Sequence, residues 1–237
     1  MFAITAWFAC TTTPGWLDEP APLGDADCAP DTQGSTPPIG VTLPVRIRVG
    51  DGLDPAEAAF HTRWAGAYWR RRGVTLTVAA PWRRTRDAEV FRESAADLAA
   101  LVEPLRDHLT RPVQPWVDVV FVSRLAMPAS PAARYFQPLV GFTVADPDLP
   151  ALRAVAQGAT PTVFVSLEAL RRLPRERARF VLAHELGHAM ALGHVEARGN
   201  VMGPGFPRCA PGLDEAQVAA IRVWAARTTS RSRTRAR

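Results

Sequence analysis

The stretch His184-Glu185-Leu186-Gly187-His188-Ala189-Met190-Ala191-Leu192-Gly193-His194 gathers three of the chain's five histidines. On an α-helix, residues four apart share a face one turn from each other, so His184 and His188 aim their ring nitrogens at a common point and supply two ligands of a tetrahedral metal. Glu185 lies about 100° round the helix from His184, near enough to address a metal-held water but badly placed as a ligand, which suits a general base. An unbroken helix would carry His194 about 9 Å further along the axis and turn it away. The helix must therefore end before His194, and Gly193 can supply the break, because glycine enters the left-handed conformation without steric cost. Three histidines with no cysteine among them leave one position open, as in a catalytic rather than a structural Zn²⁺ site. Zinc in such a site lowers the pKa of water and polarises a carbonyl, leaving Glu185 to take the proton, and peptide hydrolysis follows from that combination.

The segment HELGHAMALGHVEARGNVMGP resembles the active-site segment of the metzincin zinc peptidases, and is most similar to their matrixin-type members. The resemblance covers about twenty residues. It implies His184, His188 and His194 as ligands, Glu185 as base, and Met202, eight residues after the third histidine, as the methionine of a Met-turn forming an apolar floor under the metal. Two positions depart from the family pattern. Where the family has a turn glycine, three residues after the second histidine, this chain has Ala191. Either Ala191 carries left-handed strain of about 1 kcal/mol or more, or the turn shifts towards Gly193. Some branches place a tyrosine two residues after the methionine, and here that position is Pro204, so no fifth ligand is expected from it.

The 237 residues, about half of them apolar, are enough for one good core. Residues 43–49 alternate as a strand, and Asp54-Pro55-Ala56-Glu57 is a helix start with an N-cap, a first-turn proline and a glutamate three on. That helix is expected to stop at Gly73, with a strand at 74–79, a second long helix at 88–109 and a buried strand at 116–122. An edge strand is expected at 139–144 and another strand at 162–167, leading into the histidine helix at 175–191. A last helix is expected at 213–226. The order indicates an α/β (α+β) domain: a mixed twisted sheet with two long helices, the active-site helix, and a small C-terminal subdomain holding the Met-turn and a final helix. The resemblance further implies a peptide or protein substrate lying extended in the cleft, paired with the edge strand at 139–144.

This catalytic domain is expected over residues 41–227. Residues 1–10 form a short apolar run, too short to span a bilayer, that suits a signal remnant, and residues 11–40 are a Pro/Thr-rich lead-in. Ala9-Cys10 is similar to a bacterial lipoprotein cleavage site with Cys10 lipidated and anchoring the chain to a membrane; a secreted soluble protein and a buried N-terminus are the alternatives. Export would permit a Cys28–Cys209 disulfide. Cys28-Ala29-Pro30-Asp31 also resembles the matrixin propeptide motif, which implies Cys28 as a latency switch. The net charge of +5 is largely accounted for by Arg231, Arg233, Arg235 and Arg237, in a tail over 228–237 expected to be disordered. No specific nucleic-acid partner is expected, and the chain is taken as a monomer. His61 and His108 fall in expected helices away from the cluster and are taken as surface residues. The resulting expectation is an exported zinc-dependent endopeptidase. The alternative is a non-catalytic zinc-binding or cell-surface interaction protein retaining the site, against which the intact Glu185 argues.

Overall fold

The computed structural model describes residues 39–85, 89–90, 117–128, 136–144, 161–197, 199–203 and 212–235. Five strands form a mixed sheet in the order β2-β1-β4-β8-β7: Val41–Gly50 (β1), Val74–Thr85 (β2), Val117–Val122 (β4), Gly141–Val144 (β7) and Thr162–Ser166 (β8). The first four strands in that order run parallel, and β7 closes the sheet as an antiparallel edge strand beside β8. A second sheet, in the order β3-β5-β6, joins Glu89–Val90 (β3), Arg124–Pro128 (β5) and Phe136–Leu139 (β6). The helices are Pro55–Arg70 (α1), Leu167–Arg172 (α2), Arg175–Ala189 (α3, the histidine helix) and Glu215–Arg235 (α4).

Alternation sorts the central sheet into two faces. Val45, Ile47, Val49, Val117, Val119, Phe121, Val163 and Val165 belong to the core that α1 and α3 complete. All six residues of β4 and all five of β8 are buried, the pattern of strands covered on both sides. α1 begins as its sequence indicates, with Asp54 accepting from the Ala56 N–H at 2.8 Å and Pro55 at the first helical position. Gly73 follows its end in the left-handed conformation. Trp69 of α1 is fully buried and its indole N–H donates to the Ala183 carbonyl of α3 at 3.2 Å, tying the two helices one residue before the first histidine.

Several expected boundaries move. β2 does not stop at Ala79 but continues to Thr85 past a register shift opposite Arg46 and Arg48, in a stretch that contains Pro81, which has no N–H for a regular ladder. The strand expected at 139–144 is divided at Val140: residues 136–139 belong to the small sheet and only Gly141–Val144 to the large one. A short helix, α2, stands between β8 and α3. Ser166 caps it by accepting from the Ala169 N–H at 3.1 Å, and extended Leu173 before Pro174 ends it. The last helix runs on to Arg235, through most of the segment expected to be a disordered tail. His61 is buried on α1, not at the surface; desolvation lowers its pKa, and its ring packs edge-on to Phe60 at 5.2 Å. The helix expected at 88–109, His108, and Cys10, Cys28 and Cys209 with the proposals attached to them lie outside the described residues.

Within the sheet, fully buried Asp118 of β4 takes two hydrogen bonds of 2.6 Å from Arg46 and one of 3.3 Å from Arg48, both on β1. A carboxylate withdrawn from water needs such charge-assisted partners, and removing it leaves Arg48, itself buried, beside a void. Asp118→Ala should therefore lower unfolding free energy by about 3–5 kcal/mol in a urea titration; a loss under about 1 kcal/mol would show that the cluster contributes little.

Candidate metal centre

α3 delivers His184, Glu185 and His188 to the end of the sheet near β7 and β8. Its ending sets the third histidine. Met190 is the C-cap, Ala191 adopts φ 65°, and the Ala191 N–H donates to the His188 carbonyl at 2.9 Å while the Leu192 N–H donates to the Gly187 carbonyl at 3.0 Å. These two bonds define a Schellman motif with Ala191 in the place usually held by glycine. Of the two alternatives open from the sequence, Ala191 carries the left-handed turn. It is the one non-glycine residue with positive φ among those described, and Gly193 is not left-handed.

The turn aims the Leu192 carbonyl back at His188, whose Nδ1 donates to it at 2.8 Å; His184 Nδ1 donates to the Val201 carbonyl at 2.6 Å. A carbonyl only accepts, so both Nδ1 atoms carry the hydrogen and both Nε2 atoms present lone pairs. Those two Nε2 atoms face each other 3.1 Å apart, close to the roughly 3.3 Å spacing of two nitrogens on a tetrahedral zinc. His194 joins them, its ring centroid 5.2 Å from that of His184 and 4.6 Å from that of His188. One nitrogen from each ring lies within 4.8 Å of the others. Converging lone pairs repel without a shared cation, and main-chain acceptors on the remote nitrogens are the usual way of fixing metal-ligating histidines, so the three residues fit a divalent metal ion. Burial, then the neighbouring His188 and His194 rings, hold the His184 pKa at about 3 against the Val201 bond. Burial and His194 hold His188 at about 4 against the Leu192 bond. His194 is the most exposed of the three, and partial desolvation lowers it.

Glu185 is 1% exposed. Thr143 of β7 places its hydroxyl oxygen 2.7 Å from Glu185 Oε2 and 2.9 Å from the Glu185 main-chain oxygen. Met202 is fully buried beneath the helix, where a methyl group added at Gly187 would lie 2.5 Å from its sulfur. Only glycine allows that approach. Met202 is held in turn: its N–H donates to Asn200 Oδ1 at 2.8 Å, and its carbonyl accepts from Val195 at 3.0 Å. The Asn200 and Gln217 amides exchange bonds of 2.7 and 3.1 Å, while Gln217 Oε1 accepts from the Asp214 N–H at 3.0 Å and Asp214 caps Gln217 N at 2.8 Å. The N-terminus of α4 thus braces the loop through a reciprocal capping box. Gly187, Asn200, Gln217, Gly141 and Thr143 were not singled out from the sequence. A glycine inside a helix and the Asp214-x-x-Gln217 spacing were available signals; the two residues of β7 left none.

No family model matches the chain, and no curated protein matches it. Among solved structures it is similar to an archaemetzincin from Methanopyrus kandleri, with 20% identity over 79% of this chain and 97% of that one and a TM-score of 0.49. It is also similar to metalloproteinase-II from Bacteroides fragilis, with 11% identity over 79% of this chain and 54% of that one and a TM-score of 0.48. A zinc-dependent peptidase from Methanocorpusculum labreanum matches with 13% identity over 75% of this chain and 99% of that one, with a TM-score of 0.48.

Two outcomes follow from this geometry. Left-handed alanine costs about 1–2 kcal/mol, while glycine loosens the unfolded chain by under about 1 kcal/mol, so Ala191→Gly should raise stability by about 0.5–1 kcal/mol in urea unfolding. A destabilised variant would mean that the turn is not strained. In metal-free protein, unfolded histidines take up protons below pH 6.5, whereas folded His184 and His188 resist until about 3 and about 4. Their contribution is therefore complete above pH 6.5 and is lost as pH falls through the interval below it, at up to about 1.4 kcal/mol per pH unit for each ring. Buried His61 acts in the same direction. Urea midpoints should drop between pH 7 and 4.5, less steeply in His184→Ala; a flat profile would contradict the assigned burial.

Proposed function

We propose that the protein is a zinc-dependent endopeptidase in which His184, His188 and His194 hold Zn²⁺ and Glu185 is the general base. The observation that carries this reading is the pair of Nε2 atoms 3.1 Å apart, each on a ring whose Nδ1 is committed to a main-chain carbonyl, with a buried carboxylate on the residue after the first of them. When bound, zinc supplies Lewis acidity, polarising the scissile carbonyl and lowering the pKa of water. Glu185 takes a proton from the attacking water and returns it to the leaving amine, two roles open to one carboxylate that stays in place between steps. β7 is the edge of its sheet, so its outward main-chain groups can pair with a peptide held extended across the site, a mode of binding indifferent to most side chains. Met202 serves as the apolar floor beneath the metal.

Purified protein should contain about one zinc per chain and hydrolyse members of a mixed peptide library, and chelation should abolish turnover until zinc is restored. Glu185→Gln should retain the metal and lose at least about a hundredfold in kcat, whereas His188→Ala should lose the metal itself. Turnover in Glu185→Gln equal to that of the unaltered protein, or no bound zinc in either, would defeat the proposal. A protein that binds zinc stoichiometrically but cleaves nothing in the library would instead be a zinc-binding interaction protein.

A further inference from the structure

We propose that Thr143 is a positioning residue that, together with Gly141, seats the Glu185 carboxylate from the edge strand β7. The inference rests on the reading of Glu185 as the base and deepens it. In β7, Gly141 pairs with Val165 and Thr143 with Val163, and both of those partners belong to the core face that α3 covers. Gly141 and Thr143 therefore face the helix, two residues apart on one side of the strand. Thr143 acts by a bond, its hydroxyl 2.7 Å from Oε2. Gly141 acts by having no side chain: a methyl group there would lie 3.0 Å from Glu185 Cγ, 3.1 Å from Oε1 and 3.1 Å from the Phe164 carbonyl. One oxygen is anchored by the hydroxyl, and the bare position 141 lets the other lie close against the strand, where a methyl group would have to push the carboxylate aside by a few tenths of an ångström.

A glutamate side chain has several rotatable bonds, and a base that wanders between rotamers spends less time where a proton can reach it. The threonine hydroxyl has one hydrogen and two acceptors in reach, the carboxylate and the Glu185 main-chain oxygen at 2.9 Å. Its single hydrogen is shared between the two, or given to the nearer carboxylate oxygen, which holds that oxygen beside the strand. The same strand offers its outer main chain to an extended peptide, so proton acceptor and substrate are referenced to one rigid element. Because the Thr143 side chain points to α3 and takes no part in main-chain pairing along β7, its loss should act on turnover and leave peptide binding alone.

The test compares Thr143→Val, which keeps the shape and removes the hydroxyl, with Thr143→Ser, which restores it, in the zinc-loaded full chain. Thr143→Val should lower kcat about 10- to 100-fold with KM changed less than about twofold, and Thr143→Ser should stay within about threefold of the unaltered protein. Zinc content should be unchanged in both. Crystal structures should show the Glu185 carboxylate in more than one orientation in Thr143→Val and in one orientation in Thr143→Ser. Full kcat in Thr143→Val, loss of its zinc, or an unmoved carboxylate would overturn the inference. If Glu185→Gln is inactive while Thr143→Val is not, only the positioning role fails. If no variant and no unaltered protein cleaves peptides, the peptidase reading fails and the crystallographic comparison still decides whether Thr143 holds the carboxylate.

Discussion

The whole site depends on two imidazole hydrogens finding main-chain carbonyls. His184 and His188 project from one helix, but the oxygens that fix their rings belong to Val201 and Leu192, in the chain that follows the helix. That chain must therefore double back under its own helix within a few residues. The Schellman turn does this, and its last residue supplies the carbonyl for His188, so helix termination and the orientation of that ring are one structural event. Ala191 holds this turn in a conformation about 1–2 kcal/mol unfavourable for a residue with a side chain. The turn persists because Leu192, buried at 4% exposure against Gly187, and the two capping bonds over-determine it.

A turn held under strain needs a firm floor. Met202 packs against the bare face of Gly187, and a glycine in mid-helix costs about 1 kcal/mol relative to alanine, a cost offset by the sulfur's burial. Met202 is fixed by Asn200, Asn200 by Gln217, and Gln217 by the capping box of α4. Each amide in this chain is buried and bonded, which makes the network cooperative. The final helix, remote in sequence from the histidines, thereby acts as a buttress for the loop that holds one of them.

What the sequence revealed follows from where the information is local. Histidine spacing on a helix, the Asp54-Pro55 start, the alternation of β1 and the apolar run of β4 are all written within a few residues, and each stands in the structure. The histidine helix itself is buried nearly all round between Phe180 and Ala189, so no amphipathic period marks its faces. What stayed hidden depends on contacts between elements. Nothing in Gly-Phe-Thr-Val announces that Gly141 and Thr143 meet a glutamate more than forty residues on, and nothing around Val140 shows that one apolar stretch serves two sheets. The length of β2 is not local either: past Ala79 the strand crosses a register shift and a proline, and it continues because the neighbouring β1 pairs with it as far as Thr85. Gly193 seemed the natural hinge because glycine is the residue that turns easily, yet the Leu192 carbonyl has to face His188, and only a left-handed residue at 191 brings it there.

The charges of the site differ from those of the sheet in a way that bears on its chemistry. Asp118 is matched by two arginines held within hydrogen-bond reach, so its charge is balanced from within the protein. The histidine cluster is composed the other way: His184 and His188 turn lone pairs towards each other, a nitrogen of His194 lies within 4.8 Å of theirs, and burial pushes the first two rings far from protonation. Protons do not relieve that convergence at neutral pH, and a hydrogen bond between His184 and His188 cannot, since their hydrogens are already spent on Val201 and Leu192. On the proposed reading, a divalent cation relieves it, so that metal binding contributes directly to the stability of the loop as well as to the reaction. A buried carboxylate one residue from the first ligand becomes tolerable for the same reason, and the strand that holds it need supply only orientation.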